Sequence, residues 1–521
     1  MDESLKSIRD AVQAKVSEEA KNFPPVETKA QGLSPHFIAQ CLECEELGLG
    51  ILYSLLLCGR VVFDNTRERW LIFKEHYWDF DLMHQAEAMV EEVVNLLLDE
   101  LTKISMGILE ATKHGDEETA KGLRYKERLL NRRIKFLRSD RGRTVCLKMA
   151  RTCREPLAIR GDTLDQVPYL LACQNGVIDL RTAKFRPGRP DDWLTKASPT
   201  LWHGLEAPAP VFENFLLEIF DGDSELIDFI QRLFGYSISG WQREHKFVVL
   251  EGEGRNGKST LIETLRHVLG PLALPIQSEM LLNQGRFRSS SGPSPDVMAL
   301  LGIRLAFASE SDLGRRYDHS RVQWLSGGDS IVARDIQSKQ VCFEPTHHLF
   351  LITNHKPGAD PTAYAFWERM LLIPFRLAFV DREPIKEHER SAKKNLREML
   401  KEEASGILAW LVRGCVEYQR HGLNPPKVVL EATAQYRRSE DVVADFLMGR
   451  TLKDPLAKVS AKDLYDAFCD WYKENLDGKT IISQRRFGDL MRNRFEKSQP
   501  GGRVYYNGLL LKRIWDSGGD S

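Results

Sequence analysis

Eight consecutive residues carry the strongest chemical signal: Gly252-Glu253-Gly254-Arg255-Asn256-Gly257-Lys258-Ser259, followed by Thr260. This is a G-x-x-x-x-G-K-S loop. Glycines let the backbone curl until its N–H groups face one point, a lysine adds a positive charge, and a hydroxyl is in place to ligate a metal. The combination suits the phosphates of a nucleotide. Gly252, Gly254, Asn256, Gly257, Lys258, Ser259 and Thr260 are the expected nucleotide contacts. Lys258 should meet the β- and γ-phosphates and Ser259 the metal ion, so ATP and Mg²⁺ are the implied cofactors.

A phosphate loop serves kinases and motors alike, so other side chains must decide the reaction. Glu310 follows the apolar run from Ile303 to Ala308. A carboxylate at the end of a strand beside the loop can orient or deprotonate an attacking water and help to hold Mg²⁺. Asp312 is the alternative acid. Asn354 follows the apolar run from His348 to Thr353, where an amide can hold the water or sense the γ-phosphate; a plain turn residue is the other reading. Arg369, just before Met370 to Pro374, is a candidate arginine finger acting on a neighbouring subunit's nucleotide. Glu310, Asn354 and Arg369 are thus the candidate catalytic residues. Between acid and amide, Arg334 and Lys339 flank an expected hairpin and are candidate DNA contacts. Arg334 paired with Asp329 or Asp335 is the structural alternative.

These residues need a scaffold. Lys246 to Leu250 reads as a buried strand and Ser259 to Leu269 as a helix, so the loop has the strand and helix it requires. The fold expected is multidomain, with a central α/β P-loop, AAA+-like ATPase core at 244–380. A mostly helical region at 1–200 and a helical collar at 201–243 precede it. A helical lid or linker at 381–450 and a winged-helix-like domain at 451–521 follow. In the last of these, Ser460 to Asn475 and Ser483 to Arg494 read as helices, and Val504 to Leu511 as part of a hairpin. Arg485, Arg486 and Arg492 give the second helix a basic side and are further DNA-binding candidates.

The charge balance excludes a wholly basic or acidic chain: 73 Lys and Arg oppose 74 Asp and Glu in 521 residues. Nucleic-acid contact must therefore come from local clustering. The clearest cluster lies from Lys121 to Arg143, where ten of 23 residues are Lys or Arg and only Glu127 and Asp140 are acidic. It is a candidate phosphate-facing helix, with a solvated helix beside acidic neighbours as the alternative. No apolar run approaches the length needed to cross a bilayer, so no membrane partner is expected. Nine cysteines are too sparse for a disulfide scaffold, and a cytoplasmic setting is the expectation.

The ordered set resembles the superfamily 3 helicases, in particular the phage, plasmid and poxvirus primase-helicase group. The matching stretches are Gly252 to Thr260, Arg304 to Glu310, Leu325 to Asp329 with Ala333-Arg334, Leu349 to His355 with Pro357, and Trp367 to Phe375. Upstream, Arg60 to Asp79, Asn175 to Leu180 and Phe229 to Gly240 are similar to the region preceding such ATPases. The resemblance implies a ring, usually a hexamer, that moves on single-stranded or forked DNA using ATP. It implies Glu310 as the Walker B acid, Asn354 as sensor 1 and Arg369 as the finger, in a protein of bacterial or phage origin. Two positions depart from the pattern: Gln323 stands where a lysine is frequent, and Ser309 where relatives often have a second carboxylate. Asp79-Phe80-Asp81 has the alternation of a metal-binding pair, but the chain before the helicase-associated region leaves no room for a priming domain. Priming activity is expected from a separate primase or polymerase. The competing functions are an ATP-switched initiator or loader without sustained unwinding, and a small-molecule phosphotransferase.

Overall fold

The computed structural model describes residues 33–283, 292–310, 314–335, 340–475, 481–492 and 494–512. At its centre five strands form an all-parallel sheet. Their lateral order is Ala273–Ile276, Leu305–Glu310, His348–Thr353, Phe247–Glu251, Met370–Pro374. Successive side chains alternate between the two faces. Val248, Leu250, Phe350, Ile352, Leu371 and Ile373 point into one hydrophobic cluster, and Phe247, Val249, Leu349, Leu351, Met370 and Leu372 into another. Both faces are covered, which explains why these strands read as unbroken apolar runs.

The first face is covered by helices Pro210–Ile219, Ser224–Ile238, Lys258–Leu269 and Ala404–His421. Segments expected as a collar and a lid therefore share one core with the sheet. Two of these helices cross where each has a glycine. A Cβ on Gly235 would lie 2.2 Å from the backbone of Gly414 and Cys415, and one on Gly414 would lie 2.1 Å from the Gln231 carbonyl oxygen. The second face carries helices His319–Ser326 and Lys427–Ser439 and the hairpin Ile331–Ala333 with Val341–Phe343.

The first two hundred residues are less helical than expected. Helices Pro35–Glu43, Glu45–Leu57, Val90–Lys113, Glu117–Leu137 and Asp140–Ala150 do enclose a core of their own around Leu49, Leu52, Val93, Leu97 and Leu130. Two four-stranded sheets accompany them. One joins Trp78–Phe80, Arg69–Phe73, Val61–Asp64 and Ala158–Ile159; the other joins Lys184–Arg186, Gly176–Asp179, Leu170–Cys173 and Ala197–Ser198. In the second sheet Cys173 faces Gly176 across a tight turn at Gln174 and Asn175. The strands are short, and most pair with a sequence neighbour; only Ala158–Ile159 and Ala197–Ser198 join from further along the chain.

At the other end, Thr451–Ser460, Tyr505–Leu511 and Lys497–Ser498 form a three-stranded antiparallel sheet. Helices Ala461–Asn475 and Gln484–Arg492 pack on it around Phe446, Phe468, Phe487 and Tyr506. Among the described residues no helix is long and apolar enough to cross a membrane.

Candidate nucleotide site

The loop begins where strand Phe247–Glu251 leaves the sheet. Two glycines are required there. Gly257 has φ 89°, in the left-handed region, and a Cβ would lie 2.6 Å from Ile219 Cγ2. A Cβ on Gly252 would lie 2.4 Å from the Phe375 carbonyl oxygen. Gly257 leads directly into helix Lys258–Leu269, so the loop is aimed by the positive end of a helix.

Lys258 is buried at the first helical position. Its Nζ donates to the Gly252 carbonyl at 2.5 Å, to Asn256 Oδ1 at 3.1 Å and to Asn354 Oδ1 at 3.4 Å. All three acceptors are neutral. Burial pushes the ammonium pKa down to about 8, and the Glu251 carboxylate only partly opposes this. A desolvated cation held by neutral dipoles lacks a counter-charge, and a phosphate would supply one. The donor set therefore fits the nucleotide that the loop implies.

The parallel register gathers further groups. Thr353 pairs with Glu251 on one side and with Glu310 on the other. Glu310 and Asn354 therefore share the sheet edge from which the loop emerges. Glu310 is only 6% exposed, and its Oε2 lies 3.8 Å from Arg315 Nε. Arg315 in turn reaches Glu279 at 3.4 Å. Ser259 is exposed on the first turn of the helix beside the loop. Beside it opens a cavity of about 330 Å³ lined by Phe215, Arg255, Thr260, Phe379 and Arg397 among others. Sequence reasoning missed Phe215, Phe379 and Arg397. They come from three elements with no shared motif, and nothing local marks them.

Arg369 lies on the opposite edge of the sheet. Its carbonyl accepts from Phe247 N at 2.7 Å, at the start of the strand whose far end carries the loop. Five residues of strand separate the two, about 17 Å. Its guanidinium donates to the Gln323 carbonyl and to Ser326 Oγ, both at 3.4 Å. Gln323 thus belongs to the Arg369 edge and not to the phosphate edge.

The remaining candidates are scattered. Arg334 follows the hairpin strand Ile331–Ala333, and its carbonyl accepts from Ser294 N at 2.9 Å. Lys339 and Asp312 lie outside the described residues. On helix Gln484–Arg492, Arg486 is ion-paired with Asp360 of the central unit and Arg492 with Asp489, while Arg485 is exposed. Asp81 accepts from Gln85 N and Ala86 N, both at 2.8 Å. It caps a helix, a structural task that the Asp79-Phe80-Asp81 alternation did not reveal. Among the described residues no three His, Cys, Asp or Glu side chains converge as a metal site.

A family model described as "D5 N terminal like" matches residues 51–221. The chain is also similar to viral proteins. It is 29% identical over 425 residues to a putative helicase of Acanthamoeba polyphaga mimivirus, a match covering 79% of this chain and 44% of that protein. It is 27% identical over 389 residues to a putative helicase of Invertebrate iridescent virus 3, covering 69% and 40%. A putative primase of African swine fever virus is 22% identical over 350 residues, covering 64% and 36%. The chain spans less than half the length of these curated relatives. Among solved structures, the apo NrS-1 C terminal region is similar at a TM-score of 0.46 and 12% identity, covering 89% of this chain and 99% of that one. The sequence matches link the chain to helicase–primase proteins without selecting a subtype. Being viral, they lend no support to a bacterial origin.

Proposed function

We propose that the chain is the motor portion of an ATP-dependent DNA helicase of the superfamily 3 type. The observation that carries this reading is the division of charged and polar groups between two sheet edges. Lys258, Asn354 and Glu310 lie on one edge and Arg369 on the other. In this reading Gly252, Gly254, Asn256, Gly257 and Lys258 hold the phosphates, and Thr260 lines the adjoining cleft. ATP is the phosphoryl donor in this reading; Ser259 and Glu310 are the residues that would hold Mg²⁺, which would offset the phosphate charge when bound. Lys258 neutralises phosphate charge, Asn354 orients the attacking water and Glu310 accepts its proton. Arg369, about 17 Å from its own loop along a strand, serves the nucleotide of the next subunit. That division favours a ring, with a hexamer as the expected size. The C-terminal unit is read as a winged helix whose helix Gln484–Arg492 faces DNA, and Arg334 and Lys339 as contacts to the translocated strand.

DNA-stimulated ATP hydrolysis and strand displacement on a forked duplex test this together. Stimulated hydrolysis with displacement is expected. Stimulated hydrolysis without displacement would select the initiator or loader. Hydrolysis indifferent to DNA, in a chain that stays monomeric with ATP, would remove the motor altogether.

A further inference from the structure

The helical pair Val90–Lys113 and Glu117–Leu137 carries a feature that ATP turnover does not use. Helix Glu117–Leu137 buries Leu130, Ile134 and Leu137 in the N-terminal core. On its opposite side lie Lys121, Arg124, Arg128, Arg132 and Lys135, all exposed. Spacings of three, four, four and three residues put them in one row along the helix. At 1.5 Å per residue the row is about 21 Å long.

The row has no internal counter-charge. None of its five side chains is ion-paired with a described residue; Arg128 Nε donates to the Arg124 carbonyl, and that bond leaves both charges in place. The helix's acids make no ion pair with the row, although Glu117 and Glu118 precede Lys121 by four and three residues and Glu127 follows Arg124 by three. Glu117 and Glu118 sit in the first turn, and Glu127 accepts from Ser105 Oγ at 3.2 Å. Arg138 and Arg143, beyond the row, do find a carboxylate, Glu91. Like charges three and four residues apart repel and weaken a helix, and among the described residues no ion pair to the row offsets that repulsion. A partner with regularly repeated negative charge removes that repulsion.

We propose that this row is a docking surface for the phosphate backbone of duplex DNA, separate from the nucleotide site. A membrane surface is the poorer fit, because interfacial helices bury an apolar face in lipid and here that face is consumed by the protein core. Single strands are also a poorer fit. Their sites interleave cations with several stacking aromatics, and this face offers only Tyr125, which is 60% exposed. The inference rests on the DNA-motor reading only for the identity of the polymer.

The test is binding of the full chain to a fluorescein-labelled duplex, followed by polarisation across a salt series. R124A/R128A/R132A should weaken binding at least tenfold. It should also flatten the slope of log affinity against log salt by about 2.7, from about 0.9 per lost phosphate contact. R124K/R128K/R132K should keep both. If the alanine variant loses its melting transition, R128Q alone decides, with an expected flattening of about 0.9. Unchanged affinity and slope would overturn the proposal. So would a loss confined to oligo-dT, or confined to phosphatidylserine vesicles. A wild-type chain that binds no DNA would bring down the motor reading as well, whereas an insensitive variant of a binding chain brings down this surface alone.

Discussion

At the scale of single residues, Lys258 makes the most specific demands. Its pKa is pushed down to about 8 by burial, and a bound phosphate would raise it again. Below pH 8 the free protein already carries the proton. Above it, binding must draw one from solvent. ATP affinity is therefore expected to fall as pH rises through 8, with proton uptake approaching one per nucleotide near pH 9. Calorimetry in buffers of different ionisation enthalpy measures this directly, and K258R should abolish the uptake. Glu310 makes a different demand. A buried carboxylate on the loop edge can take a proton only while ionised, so E310Q should retain nucleotide affinity but lose at least a hundredfold in turnover. Equilibrium binding beside single-turnover hydrolysis would separate the two effects.

At the scale of elements, the crossing of Ser224–Ile238 with Ala404–His421 is a tight steric constraint. Gly235 and Gly414 let two backbones approach closer than any Cβ permits. G414A is expected to destabilise the chain by about 1–3 kcal/mol, as overpacking does, seen as a lower denaturant midpoint with an unchanged slope. Neither glycine was conspicuous in the sequence, because a close approach is a property of two segments and not of either alone. The phosphate loop was legible because it is a contiguous motif. The strands at 348–353 and 370–374 were legible because burial on both faces makes them unbroken apolar runs. The acid-bearing strand was expected at 303–308 and lies at Leu305–Glu310. Its polar end, Ser309-Glu310, is held in register by Ile352 and Thr353, and hydropathy does not report that. Thr451–Ser460 escaped notice altogether. Lys453, Asp454, Pro455 and Lys458 break its apolar pattern, the ladder is irregular between Lys453 and Lys458, and its partner strand begins at Tyr505. The cleft beside the loop was equally hidden, since Phe215, Phe379 and Arg397 meet only in the folded chain.

At the scale of the whole molecule, the separation of Arg369 from the loop sets the form of the strongest test. If each nucleotide is completed by a neighbour, R369A and K258A are complementary defects. Each should be inactive alone, and a mixture should recover part of the hydrolysis, because some junctions pair an intact loop with an intact arginine. A mixture as inactive as its components would place Arg369 outside the reaction. The C-terminal unit is fastened to the central unit partly through Arg486 and Asp360. A half-exposed pair of this kind holds with about 0–1 kcal/mol, so it is a weak mooring. It is also an exclusive one. While Asp360 keeps the guanidinium, no passing polyanion has use of it, and a polyanion that captured it would slacken the tail's grip on the central unit. On the proposed reading, DNA and tether would compete for one side chain, and the denser negative charge would win it.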